Sequence, residues 1–153
     1  MDRLIVALAT GFYSGKIPFA PGTWGSAFAL IPWYFCRGLS LANYLIVLAV
    51  LFVVGFLTAG SAEKIFDKPD PGSIVIDEIM GVFVALTLAP NHPVAWLLGF
   101  ILFRIFDIWK PFPVSWLDTH LHGGIGIMMD DVMAGIYALV SLQLIWLLIG
   151  RFF

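Results

Sequence analysis

Two pairs of adjacent carboxylates stand at the edges of apolar stretches in this chain: Asp77-Glu78 before Ile79, and Asp130-Asp131 before Val132. The second pair closes a run that begins His122-Gly123-Gly124-Ile125-Gly126, whose glycines let the backbone turn and approach a ligand where a Cβ would clash. One carboxylate at a helix start is an ordinary N-cap, contributing about 1 kcal/mol. A second beside it adds repulsion and points to a cation. Arg104 and Asp107, three apart and so on one helical face, end a further apolar stretch, with Lys110 close behind. Oxygen donors of this kind suit a hard divalent ion. Mg2+ is favoured where phosphate binds as well, because it keeps several waters and takes only one or two carboxylates. His122, beside the glycines, is a candidate acid or base; His120 reads as surface.

The solvent these groups live in follows from composition. The chain has 153 residues, 61% of them hydrophobic and only 12% charged, with mean hydropathy +0.98; an ordinary soluble domain carries about 25% charged residues. This reads as an integral membrane protein, one all-α bundle over residues 1–153 with no second domain. A net charge of -2 argues against a nucleic-acid partner, and the single Cys36 offers neither a disulfide framework nor a cysteine metal motif. The apolar run Leu4 to Ala9 is too short for a signal peptide and is expected to be retained.

The elements that must position the polar groups are short apolar helices and two long spans. Leu4 to Tyr13 reads as a short interfacial helix. Ser14 to Trp24, rich in proline and glycine and carrying Lys16, leads into the apolar run Trp24 to Cys36. There Thr23 is a plausible N-cap, and Gly22-Thr23 with Lys16 equally makes an anion site from free N–H groups and the helix dipole. Leu39 to Gly60 is long enough at 1.5 Å per residue to cross a hydrocarbon core of about 30 Å. Ser61 to Gly72 reads as a solvated linker with one helical turn, its charges simply surface. Ile79 to Ala89 and Val94 to Ile108 form a hairpin about Pro90-Asn91-His92-Pro93; Lys110 to His120 is an interfacial loop with aromatic residues at headgroup level; Val132 to Gly150 is the last span.

Counting spans puts Ser14–Thr23, Ser61–Glu78 and Arg104–Asp131 on one membrane face. That face holds Lys16, Lys64, Lys68, Arg104 and Lys110, against Arg37 and Arg151 opposite, and it collects every acid except Asp2. The positive-inside bias makes it cytoplasmic. Acids near the membrane cost at least about 2.5 kcal/mol each at its centre and normally face a polar cavity or their counter-ions. Gly81 and Gly135 each follow an acid by four, leaving a notch one turn on where helices can approach closely. Zinc fits poorly, since His92 falls on the opposite face and His120 and His122 form no i, i+4 pair.

Four ordered motifs, Gly11 to Ser26 with its Ala20-Pro-Gly-Thr-Trp-Gly-Ser26, Ser73-Ile-Val-Ile-Asp-Glu78, Phe103-Arg-Ile-Phe-Asp-Ile-Trp-Lys-Pro111 and the run His122 to Asp131, resemble the phosphatidylglycerophosphatase A family over nearly the whole chain. The resemblance implies a multi-pass inner-membrane, Mg2+-dependent phosphatase that hydrolyses phosphatidylglycerophosphate to phosphatidylglycerol and phosphate. The residues agree with it, for no Cys-x5-Arg loop, Asp-x-Asp phosphotransferase start or histidine lipid-phosphatase motif is present. Asp77, Glu78, Asp107, Asp130 and Asp131 are then expected to hold one or two Mg2+, with Asp130, Asp131 and His122 in the chemistry. Lys16, Gly22, Thr23, Arg104, Lys110, Gly123 and Gly124 are expected to bind the phosphate. Direct water attack and an aspartyl-phosphate intermediate both fit the sequence. Asp118, outside the motifs, is expected to matter little.

Two other classes use acids on membrane helices. A cation transporter or channel should bring them to the midplane from both sides, and a CDP-alcohol phosphotransferase should carry an Asp-Gly-x2-Ala-Arg motif that is missing here. The cytoplasmic assignment is checked by labelling single cysteines in a Cys36→Ser background. Asp70→Cys and Thr119→Cys should react only from the cytoplasm, and Asn91→Cys from the other side or not at all; labelling of Thr119→Cys from outside would end the cytoplasmic-site topology.

Overall fold

In the computed structural model, which describes residues 1–149, the longest helices begin and end where local chemistry favours it. Ser40 Oγ accepts from the Asn43 N–H at 3.4 Å to cap one start, and His92 Nδ1 accepts from the Val94 N–H at 3.2 Å ahead of a proline at the first helical position of another. The described residues form α1 (Asp2–Ala9), a 3-10 turn (Ser14–Lys16), α2 (Pro21–Cys36), α3 (Leu41–Phe66), α4 (Ile76–Ala85), α5 (Pro93–Trp109), α6 (Val114–His120) and α7 (Gly123–Ile149), with no strand among them. The all-α reading holds. α3 and α7 are the two helices long and apolar enough to cross a membrane, and their outward faces, from Leu45 to Leu57 and from Val140 to Leu148, leave large apolar side chains exposed.

α4 is the centre of the bundle. Its ten residues reach about 15 Å, half of a hydrocarbon core, and Ile79 through Ala85 are all buried among α2, α3, α5 and α7. A helix apolar on every side belongs in such a place. Its last turn is buried, the turn beyond it comes partly to the surface, and both take donors from neighbouring helices. Tyr44 Oη donates to the Phe83 carbonyl at 2.6 Å, Gln143 Nε2 to Leu88 at 3.0 Å and Trp96 Nε1 to Pro90 at 2.9 Å.

α4 and α7 cross with their backbones in contact. A Cβ on Gly135 would lie 2.6 Å from the Gly81 carbonyl, and one on Gly81 would lie 2.9 Å from the Asp131 carbonyl and run into the Phe103 ring. The notches expected one turn beyond the acids are therefore the contact itself. The glycines touch and the carboxylates of Asp77 and Asp131, each four residues before its glycine, also converge, so the two helices run in the same direction through the crossing and carry their acids at one level.

Several expected boundaries shift. Helix α3 continues through Ser61 to Phe66 where a linker was expected, since nothing breaks it before the left-handed Asp67 and Ser61 Oγ bonds back to Leu57 at 2.7 Å. α1 stops at Ala9, because Gly11, Phe12 and Tyr13 all take positive φ. Thr23 is not the cap of α2, which begins at Pro21 after a left-handed Ala20. Lys110–His120 contains α6 rather than being all loop. The glycine-rich run is likewise helical, so α7 starts at Gly123 and Asp130-Asp131 sit about two turns inside it. Asp77 and Glu78 also lie within α4 rather than before it. Gly150, expected to end the last span, and Arg151, expected on the opposite face, lie outside the described residues.

The crossing yields a stability test. Gly135→Ala places its methyl against a backbone carbonyl that cannot give way, and should cost about 1–3 kcal/mol; Gly38→Ala, whose Cβ meets nothing within 4 Å, should cost little. Thermal unfolding of both variants in detergent reads the difference.

Candidate active site

The parallel crossing sets Asp77 and Glu78 of α4 against Asp131 of α7. One carboxylate oxygen from each lies within 4.8 Å of the other two. Asp77 Oδ1 and Glu78 Oε2 are buried and have no hydrogen-bond partner among the described residues. Buried unpaired carboxylate oxygens are costly, and three converging ones fit the oxygen-only donor set of a hard divalent cation. The acids face a cavity of about 270 Å³ whose wall also includes Glu63, Asp70, Asp107, Asp118, Asp130, His122 and Lys110.

Asp130 is held otherwise. Its Oδ2 accepts from Lys110 Nζ at 2.8 Å, and the same ammonium donates to Asp118 Oδ1 on α6. Burial alone would push the Lys110 ammonium down, but its hydrogen bonds and charge contacts with Asp118 and Asp130 more than reverse this and raise it above its ordinary range. Lys110 caps α5 in a left-handed backbone conformation, which turns the chain off the helix just after Asp107.

Arg104 stands behind the acids. Its Nη1 pairs with Asp107 Oδ2 one turn on and donates to Ser26 Oγ at 3.3 Å, and its Nε is buried without a partner. Ser26 in turn donates to the Gly22 carbonyl at 2.7 Å. Gly22 packs so closely on Glu78 Oε1 that no Cβ fits between them. The start of α2 thus meets the acid cluster directly, and the Arg104 guanidinium lies beside Gly22 as well, outside the residues that line the cavity.

The remaining expected site residues divide. Gly123, with φ +67°, lies on the cavity wall near Glu63, whereas Gly124 packs on α3, where a Cβ would lie 3.0 Å from the Gly60 nitrogen. Exposed His122 lies on the wall. Lys16 is exposed with its Nζ 5.1 Å from the centre of the Tyr13 ring, and neither it nor Thr23 lines the cavity.

The family model for phosphatidylglycerophosphatase A matches residues 7–146 of this chain. The chain belongs to the phosphatidylglycerophosphatase A family. It is 41% identical over 130 residues to the protein named phosphatidylglycerophosphatase A of Escherichia coli (strain K12), covering 84% of this chain and 76% of that one. It is 44% identical over 135 residues to the protein of the same name from Haemophilus influenzae, covering 87% and 83%. A third relative, from Bacteroides thetaiotaomicron and named putative phosphatidylinositol-3-phosphatase, is 39% identical over 156 residues, covering 96% of each. No solved structure matches.

In this member of the phosphatidylglycerophosphatase A family, sequence reasoning overlooked three wall residues. Asp118, expected to matter little, pairs with Lys110. Glu63 and Asp70, read as surface charges, also line the cavity, where Glu63 Oε1 accepts from the Asp70 N–H at 2.9 Å. The available signal was Glu63's place one helical turn beyond Gly60, on a helix whose glycine packs against Gly124.

A cation binding the folded site stabilises it by mass action, by about 2.7 kcal/mol at a hundredfold excess over Kd. Mg2+ added to metal-stripped protein should therefore raise the melting temperature, and Asp131→Asn should shrink that rise. An unchanged melting temperature at millimolar Mg2+ would show that the three carboxylates do not form a metal site.

Proposed function

We propose that this chain hydrolyses phosphatidylglycerophosphate to phosphatidylglycerol and phosphate, using Mg2+ held by Asp77, Glu78 and Asp131 at the cytoplasmic face of the inner membrane. The observation that carries the reading is the trio of converging carboxylates, two with buried unpartnered oxygens, in a cavity shared with Lys110 and His122 and in a chain of this family. The two relatives named phosphatidylglycerophosphatase A support the substrate.

The chain's own groups divide the work. Lys110 supplies positive charge to the phosphate, and Asp130 holds that ammonium on the cavity side. The Arg104–Asp107 pair steadies the α5 wall, and the guanidinium offsets the charge of Glu78. His122 protonates the glycerol oxygen as its bond to phosphorus breaks, which a poor leaving group needs, and a water oxygen bonds to phosphorus in its place, with its protons passing to the released phosphate and to solvent. Asp77, Glu78 and Asp131 would hold Mg2+, which would supply Lewis-acid polarisation of the phosphoryl oxygens. Apolar outer faces on α3 and α7 keep the acyl chains in the bilayer while the headgroup reaches the polar end.

A second reading, a 3-phosphorylated phosphoinositide as substrate, is favoured by the relative matched over 96% of its length. Both lipids are phosphate monoesters of a polyol joined to diacylglycerol through a phosphodiester, so one assay separates them. Purified protein in mixed micelles should release phosphate from phosphatidylglycerophosphate faster than from phosphatidylinositol 3-phosphate. Chelator should abolish release and Mg2+ restore it. Asp131→Asn should lower turnover by orders of magnitude while remaining folded. Full activity in excess chelator would sink the metal reading, and preference for the phosphoinositide would replace the substrate.

A further inference from the structure

Eight carboxylates line the cavity, and a single ammonium, Lys110, lies among them in the described residues. That ammonium is already engaged, with Asp130 on one side and Asp118 on the other. A phosphate dianion reaching the cavity meets a wall of like charge, and, apart from a bound Mg2+, the one cationic side chain on that wall among the described residues is shared between two acids. We infer that Asp118 is a displaceable occupant of Lys110, competing with the substrate phosphate for the ammonium and giving it up when the phosphate arrives. The inference rests on the phosphatase reading and adds a residue to it.

The two partners of Lys110 are not equivalent. The Asp130 side chain is 10% exposed and belongs to α7, whose neighbouring residue Asp131 is fixed by the Gly81–Gly135 crossing. The Asp118 side chain is 37% exposed and sits on α6, a helix of seven residues. Separating an ion pair costs least where water can take over its hydrogen bonds, so Asp118 is the partner that lets go. A phosphate oxygen offers the ammonium the same kind of charge-assisted bond that it loses. The flexible lysine stem can follow either acceptor, while Asp130 keeps the ammonium against the wall throughout. Asp118 would thereby screen the empty cavity from weaker anions, and its departure would expose Lys110 only to a ligand with enough charge to replace it.

Competition and positioning predict opposite signs. If Asp118 competes, Asp118→Asn should lower both the KM for phosphatidylglycerophosphate and the dissociation constant for inorganic phosphate, measured by calorimetry with Mg2+ present, several-fold. If Asp118 merely holds Lys110 in place, both constants should rise, and the inference fails. Constants that do not move overturn it too. Removing any acid from this wall would attract an anion, so the control is the same substitution in a Lys110→Met background. There the gain in phosphate binding should vanish, and an equal gain would assign it to the general field of the wall instead. Asp118→Ser, which removes the charge with a smaller side chain, should repeat the Asn result if either variant loses melting temperature. Calorimetry needs no turnover, so a protein that binds phosphate as described but releases none from the lipid would fail the phosphatase reading and leave the competition standing.

Discussion

The backbone contact between α4 and α7 is the constraint on which the rest of the molecule depends. Gly81 and Gly135 let two helices approach until the carbonyl of one occupies the space a methyl would need on the other, and in an apolar surround close packing of this kind is what holds helices together. The contact stabilises an arrangement whose electrostatics oppose it. Running in parallel, the helices deliver Asp77, Glu78 and Asp131 to one level, where their carboxylates converge in a partly buried space. Packing at the glycines is rigid enough to hold the acids there, and Phe103 of α5 closes over Gly81 so that the crossing cannot slide apart.

Two cations of different character flank this cluster. Arg104 is enclosed, tied to Asp107 and Ser26, and belongs to the packing of α2 against α5. Its planar fork suits such a fixed role. Lys110 lies on the cavity wall, partly open to water, between an acid on a long buried helix and one on a short exposed helix. The acid cluster thus has a permanent counter-charge behind it and a movable one in front.

The far end of the bundle keeps α4 in place. Tyr44 donates to the Phe83 carbonyl near the end of α4, and Gln143 and Trp96 donate to Leu88 and Pro90 in the turn beyond it, so three other helices hold that end. Arg37, between the Tyr34 and Trp96 rings and bonded to Asn91, ties the end of α2 to the turn before α5. The turns near Arg37 and His92 therefore share one end of the molecule, as counting spans implied, and the acids gather at the other.

What the sequence by itself determined was composition, the number of apolar segments and the identity of the acids. A mean hydropathy of +0.98 with so few charges leaves no solvent but lipid for most side chains, and paired acids beside glycines four residues on identify both crossing helices. Family membership was legible for the same reason, since motifs that carry chemistry are contiguous in the chain. Helix boundaries were less legible. Glycine reads locally as a breaker, but Gly124 and Gly126 continue α7 because their missing side chains admit Phe56 and Leu121 backbone, a benefit visible only once the neighbours are in place. The same limit hid Asp118, whose partner Lys110 ends another helix, and Glu63 and Asp70, whose cavity is closed by other elements, and it sent Lys16 toward a cavity that it does not line, its ammonium lying over the Tyr13 ring instead. Only the tertiary structure decided which charges meet, because a pairing between α6, α5 and α7 depends on how three helices are placed, and no local spacing encodes that.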